Sequence, residues 1–155
     1  MSRVTIRVVC GAAILCAIAA TAVLHAQLEI GNWVRTDMPP GTKMSMTIQA
    51  CCNGGRRLIY HVEGQGQPPM DMTIESGLDG KDAPVIIGGK PSGQTMAITR
   101  VDANHATSVQ KMNGKPMSTS RGTLSADGKT LTVEDEVTDA GGGKPAKITE
   151  KWVKQ

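Results

Sequence analysis

Residues 121–137, RGTLSADGKTLTVEDEV, leave few folds open. Leu131, Val133 and Val137 alternate with Thr130, Thr132, Glu134 and Glu136. That is period two, with one dry face and one wet face, the pattern of a half-buried strand. Asp127 and Gly128 mark a tight turn, because Gly tolerates positive φ and Asp bonds its own backbone. A four-residue turn at 126–129 pairs Leu124 with Leu131 and puts both on the dry face. A three-residue turn would offset them, so the hydrophobic pattern selects the even loop.

The same unit recurs along the chain. Turn signals fall at 37–41, Asn53-Gly54-Gly55, 64–68, 77–82, 88–93, Asp102-Ala103-Asn104, Asn113-Gly114, 126–129 and 139–143. That spacing is expected of a sandwich or barrel, with about ten strands between the turns. Asn113-Gly114 is a strong signal for a two-residue type I′ hairpin. No turn-free segment is long enough for a helix, and no linker divides the chain.

Residues 1–26 differ in kind. Arg3 and Arg7 precede an apolar, charge-free run at 8–24, and Leu24-His25-Ala26 ends in a small residue. This reads as a secretory signal peptide cut after Ala26, leaving residues 27–155 as one domain. The expected destination is secreted or periplasmic, with no membrane span after cleavage. Loss of Arg3 and Arg7 takes the formal net charge from +3 to +1. Near neutrality, nothing argues for a nucleic-acid partner or an anionic membrane surface. Only Cys51 and Cys52 remain after cleavage, so disulfides do not scaffold the fold.

Alternation assigns the inward faces. The first strand offers Leu28, Ile30 and Val34; the second Met44, Met46 and Ile48; the third Leu58, Tyr60 and Val62. The fourth offers Met70, Met72 and Ile74, and later strands add Met96, Ile98, Leu131, Val133, Val137, Ile148 and Trp152. There is no Phe, one Tyr, two Trp and nine Met, so Met supplies bulk that aromatics usually provide. The segments 105–112 and 115–123 carry polar residues on both faces. They read first as an exposed hairpin projecting past the core. The alternative is a closed barrel whose interior is polar and wet along this wall.

Gly31-Asn32-Trp33 is similar to the Gly-x-Trp that opens lipocalin and related calycin barrels. Leu78-Asp79-Gly80-Lys81-Asp82-Ala83-Pro84-Val85 resembles the Tyr-Asp-Gly-Lys-Asp-Tyr-Pro-Val stretch of small exported bacterial lipocalin-like proteins. Arg100-Val101-Asp102-Ala103-Asn104 resembles their Arg-x-Asp-Ala-Asn turn, and Ser125 to Val133 their Ser-x-Asp-Gly-Lys-Thr-Leu-Thr-Val hairpin. The ending Glu150-Lys151-Trp152-Val153-Lys154-Gln155 resembles their last strand. The resemblance covers most of the chain from Leu28 onward. It implies an all-β, antiparallel up-and-down lipocalin-like barrel of about eight to ten strands, holding a small apolar or amphipathic molecule. It implies no reaction. Met70, Met72 and Ala83 replace the aromatics of that pattern, and Cys51-Cys52 has no counterpart in it.

The expected ligand-binding set is Met44, Met46, Tyr60, Met70, Met72, Met96, Arg100 and Trp152. Arg100 follows Met96 and Ile98 at alternate positions, so parity aims it inward; alternatively it opens the Asp102 turn in solvent. An inward Arg at the end of an apolar cavity would hold a carboxylate bidentately, as the related fatty-acid-binding proteins do. Asp135 and Glu150 fall in phase with apolar neighbours and read as strand-end carboxylates; buried together they would form an acid–base pair. His61 and His105 read as surface residues, and no nucleophile with a base is visible. No catalytic residue, cofactor or metal is expected. Two other functions stay open: Cu(I) binding by Met44, Met46, Met70, Met72 and the cysteines, or an envelope interaction module without a small ligand. Cys51 and Cys52 should end the second strand, either reduced or as an exposed, labile disulfide.

Overall fold

The computed structural model describes residues 29–64, 66–138 and 145–155. The expected signal segment at 1–26, Leu28, Gln65 and the expected turn at 139–143 lie outside the described residues. The strands are β1 (Gly31–Arg35), β2 (Lys43–Cys51), β3 (Gly55–Gly64), β4 (Gln67–Ser76) and β5 (Asp79–Ile87). They continue as β6 (Lys90–Arg100), β7 (His105–Met112), β8 (Lys115–Leu124), β9 (Thr130–Val137) and β10 (Ala146–Lys154). Each pairs antiparallel with its sequence neighbour, and β1 pairs with β10, so all ten close into one up-and-down barrel. Closure satisfies the edges that an open sheet would expose.

The turn chemistry sets the registers. Leu124 pairs with Leu131, as the even loop requires. Met112 pairs with Lys115 across Asn113 and Gly114, whose φ angles of 50° and 79° are those of a type I′ turn. Cys51 ends β2, and a 3₁₀ turn at Cys52–Gly54 leads into β3. The two cysteines form a disulfide; Cys51 is half-buried and Cys52 exposed.

One core cluster joins Trp33, Met46, Ile48, Leu124 and Trp152 where β1 and β10 close the barrel. A second joins Ile74, Ala83 and Val85. Three inward assignments need correction. In β1, Trp33 is fully buried and Val34 faces out at 37% exposure. Gly31 pairs with the buried Ile48, so the odd-numbered positions of β1 face in and Val34 is one residue out of phase with them. Trp33 is then opposite Met46, on the inner face of β2. Met70 is 43% exposed, because β4 pairs with β5 only from Met72 to Ile74, so its outer end has a neighbour on one side alone. Ile148 is 44% exposed for the same reason: β1 flanks β10 only from Trp152 to Lys154.

Gly55 starts β3 where another backbone runs very close. A Cβ there would lie 2.2 Å from the Ser76 carbonyl oxygen. Backbone cannot give way as a flexible side chain can, so Gly55→Ala should cost about 1–3 kcal/mol. A lower urea midpoint with an unchanged slope would show it. An unchanged midpoint would mean that the turn relaxes freely.

Candidate functional site

The barrel encloses a cavity of about 300 Å³. Parity along each strand aims alternate side chains into it. Met44 and Met46 from β2, Tyr60 from β3, Met72 from β4 and Met96 from β6 line it together with Trp152 from β10. Arg100 lines it too, at the end of β6. Seven of the eight expected ligand residues therefore share one surface. Met70 does not, since it sits on the projecting end of β4. Tyr60 packs edge-on against Trp152, with ring centroids 6.0 Å apart.

The wall formed by β7 and β8 is polar. These strands complete the barrel rather than project from it as an exposed hairpin. Ser108, Gln110, Ser118 and Ser120 face the cavity. Gln110 donates through Nε2 to Gln94 Oε1 at 2.7 Å, and Ser118 Oγ lies 3.4 Å from Gln110 Oε1. The cavity is thus amphipathic, with sulfur and carbon on one side and hydroxyls and amides on the other.

At the end where the chain enters β1, three charged side chains meet. Glu29 Oε1 accepts from Arg56 Nε at 2.9 Å and pairs with Arg56 Nη2 at 2.8 Å. The same oxygen accepts from Arg100 Nη2. Arg56 Nη1 donates to the carbonyls of Gly54 at 3.2 Å and Gly55 at 2.8 Å. Arg100 therefore points inward instead of resting in solvent at the Asp102 turn. Arg56 escaped the sequence reading although it is in phase with Leu58 and Tyr60. Glu29 gave no local signal, because it precedes β1 in a turn.

Asp135 and Glu150 also face the cavity, further from that end, and are wall residues rather than strand-end carboxylates. Glu150 accepts from Arg35 Nη1 at 2.6 Å and from Trp152 Nε1 at 3.0 Å. Desolvation nevertheless holds its pKa above the ordinary carboxylate value, outweighing those two partners. Burial likewise pushes the Tyr60 hydroxyl up, with Glu150 and Asp135 adding to the effect. A raised folded pKa means that the folded state holds the proton more tightly than the unfolded chain. The resulting stabilisation is fully present below the unfolded pKa of Glu150 and is lost as pH rises through the folded one. Glu150→Gln should remove this part of the slope, as read by urea midpoints across the acidic range. An identical slope in the variant would reject the assignment.

His61 and His105 lie at the surface. His61 Nδ1 is 2.6 Å from Asp71 Oδ1, and His105 Nδ1 is 2.8 Å from Asp102 Oδ1. Among the described residues, no group of three or more His, Cys, Asp and Glu could hold a metal ion. The disulfide removes both thiolates from the Cu(I) arrangement, and Met70 lies away from the other methionines' cavity. No helix of the described residues is long and apolar enough to cross a membrane.

Closed up-and-down topology around an amphipathic interior gives the chain a lipocalin-like barrel architecture. The fold is similar to that of the fluorescent protein UnaG, seen in a crystal structure of one of its mutants. The TM-score is 0.58, with 83% of this chain and 97% of that chain covered. Sequence identity is 11%, so the likeness is one of fold alone. No protein-family model matches the chain, and none of the curated proteins matches it.

Proposed function

We propose that this protein is an exported carrier that holds a small amphipathic molecule with an acidic head inside its barrel. The observation that carries this reading is the cavity of about 300 Å³ with an arginine pair at one end. Its size is at the low end for small-molecule sites. Apolar wall from Met44, Met46, Leu58 and Trp152 suits a hydrocarbon body. Arg56 and Arg100 suit a carboxylate, which guanidinium groups bind through paired hydrogen bonds. Methionine leaves the wall adaptable to ligand shape. The role is binding rather than catalysis. Export to a secreted or periplasmic location rests on Arg3, Arg7, the apolar run at 8–24 and Ala26.

Titration of residues 27–155 with an environment-sensitive apolar dye tests the reading. Saturable one-to-one binding, displaced by medium-chain fatty acids, is expected. Met72→Asp, which places a carboxylate in the apolar wall, should weaken binding with the circular dichroism spectrum unchanged. Absence of saturable binding would leave the envelope interaction module as the better reading.

A further inference from the structure

We propose that Glu29 is a resident carboxylate that occupies the arginine pair until an acidic ligand displaces it. The inference rests on the carrier reading and specifies how the charged end of the cavity works.

The geometry is that of a stand-in. Glu29 meets both arginines through the single oxygen Oε1. Its other oxygen, Oε2, is buried and accepts no hydrogen bond. A buried acceptor without a donor costs free energy that a better-placed group would not incur. A carboxylate that gave one oxygen to each guanidinium would leave neither oxygen orphaned. Glu29 does not reach that arrangement from the turn ahead of β1.

Both sides of the contact are anchored independently of it. The Gly54 and Gly55 carbonyls hold the Arg56 guanidinium in place. The Glu29 backbone is held by Trp33, whose Nε1 donates to the Glu29 carbonyl at 2.8 Å. The Glu29 side chain can therefore rotate away while its turn stays docked and the cation stays aimed. An acidic head at this end would meet the two guanidinium groups that Glu29 meets. It must still replace Glu29 or suffer repulsion from it. Apolar side chains of Ile48, Leu58, Ile98 and Leu124 adjoin this end and would take the chain of such a molecule. The exchange swaps one carboxylate for another on the same donors and makes or breaks no covalent bond. Glu29 keeps a carboxylate on these donors when no ligand is bound, and it holds back neutral and weakly acidic molecules less than it holds back carboxylates.

Decanoic acid and decanol test this, because they share a chain and differ in the head. Each is competed against the apolar dye on the wild type, Glu29→Gln and Glu29→Asp. Glu29→Gln should raise decanoate affinity at least about tenfold and leave decanol affinity unchanged. Glu29→Asp should fall between it and the wild type. A measurement on the wild type guards against misfolded variants. The ¹³C carboxyl resonance of Glu29 should shift on adding decanoate and stay in place on adding decanol. Equal effects on both probes, weaker decanoate binding by Glu29→Gln, or a Glu29 resonance indifferent to decanoate would overturn the exchange. If neither probe binds the wild type, the carrier reading falls and the exchange falls with it. Decanol binding with unchanged selectivity in Glu29→Gln overturns the exchange alone.

Discussion

Trp33→Ala should destabilise the barrel by about 3–5 kcal/mol, the usual cost of truncating a buried large aromatic. Trp33 is 0% exposed and packs with Met46, Ile48, Leu124 and Trp152. Its strand, β1, has five residues and pairs on both sides, with β2 and β10. Few other side chains on so short a strand can hold the closure. The indole also donates to the Glu29 carbonyl, so its removal frees the turn that positions Glu29. Against a typical total of about 5–15 kcal/mol, the loss is large. Trp33→Phe separates the two contributions. It keeps most of the ring but removes the N–H donor, and should cost about 1–3 kcal/mol. Urea unfolding read by circular dichroism gives both values. A Trp33→Ala midpoint close to wild type would mean that the barrel closes without this strand.

The architecture was legible because it is written locally. Asp127-Gly128 and Asn113-Gly114 dictate their turns, and the Leu124–Leu131 pairing follows from loop parity alone. What local pattern cannot show is where each strand loses its neighbours. Met70 and Ile148 carry the right parity but lie where β4 and β10 have a strand on one side only. That stagger is set by closing the whole barrel. Val34 faces out because the inward parity of β1 runs through Gly31 and Trp33, and a glycine at an inward position adds nothing to an apolar pattern. The charged site was half legible. Arg100 and Arg56 both follow strand parity, but a polar residue at an inward position reads as an exception until the cavity is known. Glu29 lies outside any strand, and only the folded chain brings it to the arginines across the separation from β3 and β6.

Ser120→Phe should lower affinity for an apolar probe by about 100-fold, roughly 2.8 kcal/mol, without unfolding the protein. Ser120 lies on β8 opposite Ser108 of β7 and Asp135 of β9, with its side chain toward the cavity. A phenyl ring there would fill much of a space of about 300 Å³. Filling differs from breaking. No buried bond of Ser120 Oγ has to be given up, and the ring gains apolar burial against the methionines and Tyr60 at about 25 cal/mol per Å². The urea midpoint should therefore hold or rise while binding is lost. Met70→Asp supplies the contrast, because Met70 is 43% exposed and outside the cavity. It should leave affinity unchanged, whereas Met72→Asp, two residues along the same face, should not. If Ser120→Phe binds the probe as the wild type does, the ligand sits somewhere other than the barrel interior. If Met70→Asp weakens binding as strongly as Met72→Asp does, the site extends out along the projecting β3–β4 hairpin.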